Sequence, residues 1–370
     1  MKLVFSLSTV TLAAAVGCTR AESQSAVTLD ATLAASYGAV SNVVELKDGR
    51  VAFADTRDKL FLTGDLKSGK VDTLGSRVDS LKPGGPVGQY KFPGWVAHLG
   101  GDTVALVDFS VLRTTLWTEK GKPLGVLPIL GVAGETPVLL YDSVGHGYKI
   151  DYQAMFGRGA PGRVLQTDSI PVLRIRLKGG KVDTVAMLAG PELGDATFGE
   201  QVQQAAKVFA PNDHFGVLGD GTAWVARGHQ NRVDWRAPDG SWTQGKAREY
   251  PRVPVTQADR DRVLAQVREQ GKQFGMPQEL KIVYPFAETR PPFDFALGRP
   301  NGEVWLQRPR SQEDAPLVYD VVDRRGEWRR AVTFPKGATL AGFGANDAVY
   351  AVIKGGDGKR TVGRYKVTSH

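Results

Sequence analysis

The chain has a single cysteine among 370 residues, together with four methionines and five histidines. One cysteine excludes an intramolecular disulfide and every metal site built on clustered cysteines. His98, His146, His214 and His229 are scattered; none forms His-x-His or His-Glu-x-x-His, so no metal pair is local in sequence. The nucleophile elbow Gly-x-Ser-x-Gly is missing. Gly157–Gly162 has the Gly-x-Gly-x-x-Gly spacing, but Pro161 lies inside it and no helix follows, which excludes a dinucleotide-binding turn. Beyond the N-terminus, no apolar run approaches the ~20 residues of a membrane-spanning helix. Charge of one sign is never concentrated in a long block: the net +8 is spread along the chain, and no nucleic-acid partner is expected.

What the chain does have is glycine, 44 residues of it, 21 prolines and a 42% hydrophobic composition, which is that of a folded globular protein. Its first residues read as an address. Lys2 is followed by an uncharged run from Leu3 to Val16 and then by small residues, as in a secretory signal. Ala15-Val16-Gly17-Cys18 resembles the lipobox of bacterial lipoproteins, with Ala15 where Leu is commoner. That resemblance implies removal of residues 1–17, lipidation of Cys18 and attachment to the membrane through its acyl chains. Two or three acyl chains hold a protein stably where one does not. Thr19 after the Cys resembles outer-membrane sorting, so the expected location is the bacterial envelope on the periplasmic side of the outer membrane. The alternative is an ordinary signal cut after Ala21 or Ser23, which would leave a soluble secreted or periplasmic protein. Residues 18–25 are small and polar and read as a tether.

The remainder repeats. A strand-like run of five residues recurs at Val51–Asp55, Val104–Asp108, Val164–Asp168, Ala223–Arg227, Val304–Arg308 and Val349–Ile353. Each run is followed by a second strand-like stretch, and most of these lead through a Gly turn to a third. A solenoid would keep a tighter period, and a sandwich would not repeat the unit six times. The spacing fits propeller blades of ~40–50 residues carrying insertions. The expected fold is all-β: a six-bladed β-propeller of four-stranded antiparallel blades over residues 26–370. Residues 26–33 resemble the outer strands at Val71 and Val182, and are expected to supply the outer strand of the last blade and close the ring. Residues 128–150 read as a long loop or an extra hairpin between units two and three. Residues 256–272 form the one convincing helix: Thr256 and Asp259 make a capping box, Val263, Leu264 and Val267 lie at helical spacing, and Gly271 ends it. It is expected on a face or rim of the ring rather than as a lid.

Several segments resemble a known repeat. Pro83–Pro93 followed by Val104–Asp108 resembles the NHL-type propeller repeat. Asp220–Arg227 and Asn301–Leu306 look like its Asp-Gly-x-hydrophobic blade opening, and Pro254–Asp259 is similar to a segment of uncharacterised bacterial six-bladed propeller lipoproteins of NHL-type or TolB-like kind. The resemblance covers residues ~40–368 in outline. It implies an architecture shared by protein scaffolds, ligand binders and a minority of enzymes.

Asp55, Asp108 and Asp168 end three successive units, where Arg227 and Arg308 end later ones. They read either as a ring at the channel mouth or as carboxylates that bond turn amides. Three Asp opposed by Arg fall short of the six to eight oxygens of a calcium site, which favours the second reading. His214, just before a first strand, and Trp95, beside Pro93, are further channel-mouth candidates; His146 sits in a Gly-flanked loop. Trp117, Trp224, Trp235, Trp305 and Trp328 fall inside strands and read as core. Arg290 and the stretch Arg299–Arg310 read by default as a solvated face, and alternatively as a basic patch suited to anionic lipid or acidic glycan. No catalytic set, metal set or cofactor motif assembles. The expected function is therefore a monomeric, lipid-anchored binding or scaffold module for an envelope protein or glycan. The alternative is a hydrolase, lactonase or lyase using Asp55, Asp108, His214 and Arg227.

Overall fold

Short runs rich in Val, Ala, Leu and Trp, separated by turns such as Asp220-Gly221 and Asp239-Gly240, pair as antiparallel strands. In those turns the Asp carboxylate accepts the amide two residues on, from Thr222 and Ser241, and the Gly takes a φ of +82° or +96° that other residues avoid. A computed structural model describes residues 23–82, 84–127, 138–155, 168–272, 275–277, 279–310, 312 and 314–369. Cys18 and the signal segment lie outside the described residues.

The fold is all-β with one α-helix among the described residues. Sheet one pairs Val40–Glu45, Val51–Asp55, Leu60–Gly64 and Val71–Thr73 in that order. Sheet two pairs Pro93–Gly100, Thr103–Asp108, Arg113–Thr118 and Pro123–Val126. Sheet three pairs Leu140–Tyr141, His146–Ile150, Ser169–Arg176 and Val182–Ala189. Sheet four pairs His214–Val217, Ala223–Arg227, Arg232–Arg236 and Trp242–Thr243. Sheet five pairs Phe295–Gly298, Val304–Gln307, Val318–Val322 and Trp328–Thr333. Sheet six pairs Ala338–Phe343, Ala348–Lys354, Arg360–Ser369 and, as its outer strand, Ser23–Thr32.

The N-terminal strand lies antiparallel to Arg360–Ser369, and its first residues also run parallel to Arg330–Thr333, fusing sheets five and six. Asp30 anchors it through Arg364 at 2.7 Å and Lys366 at 2.8 Å. The strand starts at Ser23, so the last three residues of the expected tether 18–25 are strand instead: Ser23, Gln24 and Ser25 find ladder partners in Arg330, Ala331 and Val332.

The apolar core lies between sheets. Phe61 of sheet one meets Trp117 of sheet two edge-on, with centroids 5.5 Å apart. Comparable clusters join sheets two and three around Ala105 and Ile175, three and four around Tyr148 and Val225, four and five around Trp224 and Val304, five and six around Trp305 and Val349. Tyr350 and Phe53 join sheet six back to sheet one. Aromatic pairs of this kind contribute about 1 kcal/mol beyond the area they bury.

Two expectations are corrected. Sheet three takes its first two strands from residues 140–150, read from the sequence as a loop or extra hairpin; residues 128–137 and 156–167 lie outside the described residues. His146–Ile150 is what pairs with Ser169–Arg176; of the run Val164–Asp168, only Asp168 is among the described residues. A hairpin, Leu193–Phe198 with Gln201–Ala206, also lies outside the repeat and pairs with Ile282–Val283. The strand Gln201–Ala206 is polar and largely exposed, so it carried no hydrophobic signal in the sequence.

The helix spans Gln257–Lys272. Thr256 and Asp259 cap it reciprocally, the Asp259 amide donating to the Thr256 hydroxyl at 3.2 Å and the Thr256 amide to the Asp259 carboxylate at 3.1 Å. Asp259 is buried and paired with Arg290, which also stacks over Phe209.

Candidate functional site

The first strands of the sheets lie side by side: Val40–Glu45 touches both Pro93–Gly100 and Ala338–Phe343, and His214–Val217 touches both Leu140–Tyr141 and Phe295–Gly298. Asn42 links the first strands of sheets one and two, its side-chain amide donating to the Val96 carbonyl at 2.7 Å and accepting from the Val96 amide at 3.2 Å. Where the first strands of sheets three, four and five converge, a cavity of about 710 Å³ opens. Trp95 contributes a wall from sheet two, Tyr148 from sheet three, His214 and Trp224 from sheet four and Phe295 from sheet five. The remaining wall is mostly aliphatic, including Leu140, Ile150, Leu188 and Val217. No residue of the helix lines it, so the helix is not a lid over this cavity.

The polar groups at the wall divide into two kinds. The first kind is fully engaged. Asp213, whose side chain is 1% exposed, accepts the Ala189 amide at 3.0 Å, the Gly228 amide at 3.0 Å and the Arg227 guanidinium at 2.8 Å. Arg227 also donates to Asp234 and to the Met187 carbonyl, so it braces sheets three and four. The Tyr148 hydroxyl donates to Asp142 at 2.8 Å, and burial together with that carboxylate raises its pKa well above the ordinary phenol value. Lys149 is likewise not free.

The second kind has no partner. His214 packs between Phe293 and Phe295, with ring centroids 5.7 and 6.4 Å away, and no hydrogen bond joins its ring nitrogens to another described residue. Burial lowers its pKa below the usual imidazole value, while the neighbouring Asp213 works in the opposite direction. The ring is neutral at pH 7. Trp224 is 2% exposed, and its indole Nε1–H is buried without a hydrogen-bond partner.

Of the residues singled out in the sequence, Trp95 and His214 are brought together at the cavity. Asp55 and Asp108 are not; each is a nearly inaccessible carboxylate that holds turns. Asp55 accepts the amides of Gly38, Ala39, Arg57 and Asp58. Asp108 accepts those of Lys91 at 2.6 Å, Phe92 at 3.1 Å and Ser110 at 2.8 Å. Asp168 is exposed ahead of its sheet's third strand and does not occupy the corresponding place. Arg308 pairs with Asp320 at 2.6 Å. Asp55 and Asp108 thus fit the second of their two readings, carboxylates that bond turn amides, which the sequence favoured over a ring at the channel mouth. The basic patch is spent internally: Arg290 and Arg299 are buried and ion-paired, Arg299 with Glu303 and Asp347. Among the described residues no group of three or more His, Cys, Asp or Glu is placed to hold a metal ion.

Trp224 was missed as a site residue because it alternates like a core Trp. Its place at the cavity depends on two glycines. Gly216 stands opposite it on the first strand of sheet four, and Gly298 stands on the first strand of sheet five. A side chain at either would collide with the indole.

Converging first strands, inter-sheet cores and a cavity at their meeting point define an all-β protein of propeller type. No family model and no curated protein matches the chain. Among solved structures it is similar to a DUF4221-family protein from Bacteroides vulgatus, at 7% identity and a TM-score of 0.54, covering 94% of this chain and 100% of that one. It is also similar to a putative exported protein from Bacteroides fragilis, at 10% identity and a TM-score of 0.50, covering 93% and 95%. A gluconolactonase from Xanthomonas campestris aligns at 12% identity over 93% of this chain and 94% of its own, with a TM-score of 0.43. The first two likenesses establish fold and nothing about activity, and the third carries no argument. The sequence resemblance to NHL-type and TolB-like repeats is upheld only at that level of fold.

Proposed function

We propose that the chain is an exported six-bladed propeller that binds a small, largely apolar molecule in the cavity at the centre of its ring. The cavity itself carries this reading: about 710 Å³ of space, walled by aromatic and aliphatic side chains from sheets two to five, with few polar groups left to act. Such a volume and lining are those of a small-molecule site. The six sheets serve as blades, with the first strands around the axis and the N-terminal strand closing sheet six. A small apolar ligand takes the place of the envelope protein or glycan expected from the sequence, because a polar partner would meet a wall whose charged groups are already engaged.

The signal-like N-terminus and the lipobox resemblance at Cys18 support an envelope location, with the protein held by acyl chains. Cys18→Ser, followed by membrane fractionation, tests this: release into the soluble fraction, or an uncut signal, supports the anchor, and unchanged membrane association refutes it.

Binding is tested by native mass spectrometry of the purified protein and by extraction of any co-purifying small molecule. A stoichiometric apolar compound supports the reading. A cavity that takes up no apolar probe overturns it.

One observation favours a second use of the same cavity. His214 presents a neutral imidazole with unengaged nitrogens, which is the state a general base requires. A hydrolase or lactonase acting on an apolar ester would use it there, and His214→Phe would abolish turnover while leaving binding intact.

A further inference from the structure

Of the four histidines among the described residues, three are engaged by other protein groups. His98 bonds Glu119 at 2.9 Å through Nε2 and accepts the Gly100 amide at Nδ1. His146 pairs with Asp142 at 2.8 Å, and His229 faces Glu192 at 3.8 Å. His214 alone of the four has no polar partner among the described residues, and it alone lines the cavity. Its ring is held by Phe293 and Phe295, which offer it no polar atom. The residue is only partly buried, and its ring nitrogens keep accessible surface, unlike the sealed indole nitrogen of Trp224. A neutral imidazole carries one N–H donor and one lone-pair acceptor. When an apolar body fills the cavity and displaces water, both go unmet unless the ligand itself supplies a partner.

The rest of the wall narrows what that partner is. Asp213 and Arg227 satisfy each other, and Lys149 has a partner of its own, so no counter-charge is left for an ionised ligand. Asn212, two residues before His214, also lines the cavity. Its amide nitrogen donates to the Ala210 carbonyl at 3.2 Å, which leaves its side-chain oxygen as an acceptor. Acceptors therefore prevail along this edge. Position matters too. Asn212, Tyr152 and Phe295 are the exposed part of the lining and mark its mouth, whereas Tyr148, Ile170 and Leu188 are buried within.

We infer that the ligand is an uncharged apolar molecule bearing a hydroxyl that donates to the lone-pair nitrogen of His214, with its apolar body directed inward. This inference rests on the reading of the cavity as a small-molecule site and specifies the ligand class. The hydroxyl supplies the proton that imidazole accepts, and its own lone pairs face the mouth, where water reaches them. The lone pair that a hydrolytic use would turn on water here holds the ligand in place.

The experiment compares 2-naphthol with 2-methylnaphthalene, which carries a methyl group of similar size in place of the hydroxyl. Affinities are measured by calorimetric titration of wild type and of His214→Phe, whose ring has no polar atom. The hydroxyl is the better hydrated group, so the quantity read is the ratio of the two affinities rather than the naphthol affinity alone. That ratio is expected to fall about fivefold or more in His214→Phe, the range of one hydrogen bond, while 2-methylnaphthalene still binds both proteins. A second reading needs no variant. In nitrogen NMR of wild type, the lone-pair nitrogen of His214 should lie upfield in the 2-naphthol complex relative to the 2-methylnaphthalene complex, as an accepting nitrogen does. An unchanged ratio, or the same resonance position in both complexes, overturns the inference and leaves the cavity reading standing. Failure of both probes to bind overturns the cavity reading and this inference with it.

Discussion

Gly216 and Trp224 face one another across the first two strands of sheet four, and the indole occupies the space that any side chain at position 216 would need. The same ring also abuts Gly298 of sheet five, so one residue joins the packing between two sheets to the shape of the cavity.

Gly216→Ala therefore cannot be accommodated without moving the indole. Overpacking of this kind costs about 1–3 kcal/mol. The expected outcome is a thermal midpoint lowered by a few degrees, since each kcal/mol is worth roughly 1–2 °C in a chain of this length, together with a changed tryptophan emission. An unshifted midpoint would show that the indole moves freely.

Asp108 gives the opposite kind of prediction. It is buried, and four donors converge on it, the Lys91, Phe92 and Ser110 amides and the Ser110 hydroxyl at 2.6 Å. Asp108→Ala leaves backbone donors unpaired and should cost about 1–3 kcal/mol or more in urea unfolding, with little change in the affinity of an apolar probe. A large loss of affinity at unchanged stability would restore the channel-mouth role that the sequence suggested.

His214 sets a pH dependence. Its folded pKa lies below the ordinary imidazole value of 6.5, so the unfolded chain binds protons more readily than the native state. Its contribution to stability is therefore complete above 6.5 and is lost progressively as pH falls from there toward the folded value. Denaturant midpoints measured from neutral to mildly acid pH should fall more steeply for wild type than for His214→Phe. Parallel curves would mean that the imidazole is not buried as described.

The outer strand of sheet six makes a fourth test. Removing residues up to Thr32 exposes the edge of Arg360–Ser369, a ten-residue strand, and strips Asp30 from Arg364 and Lys366. An open edge of that length invites pairing between molecules. Light scattering should report association, and a fully monomeric, cooperatively folded truncation would contradict the role given to this strand.

The sequence carried the fold much further than the site. Runs such as Val51–Asp55 and Ala223–Arg227 alternate with Asp-Gly turns that have a local physical cause, and the capping box of Thr256 and Asp259 is likewise local. Sheet three was only partly legible, because strand identity is decided by pairing, here of His146–Ile150 with Ser169–Arg176, which composition alone does not reveal. The cavity was legible only at its edges. His214 and Trp95 were singled out by their positions in or just before first strands. Trp224 was not, because its place at the cavity wall depends on Gly216 and Gly298, the second of which is distant in sequence and adjacent only once sheets four and five pack. Asp55 and Asp108 repeat visibly, and the repetition reflects turn chemistry rather than a shared ligand.

The most direct measurement is calorimetric titration of a naphthalene probe into wild type and into Val217→Phe, at two temperatures. Val217 lines the cavity, and a larger ring there takes space from it. The account predicts saturable binding with one site per chain and a negative heat-capacity change, the mark of apolar burial, reduced at least tenfold by Val217→Phe. Absence of binding to wild type, or binding that Val217→Phe leaves untouched, would contradict a ligand site at the meeting point of the first strands.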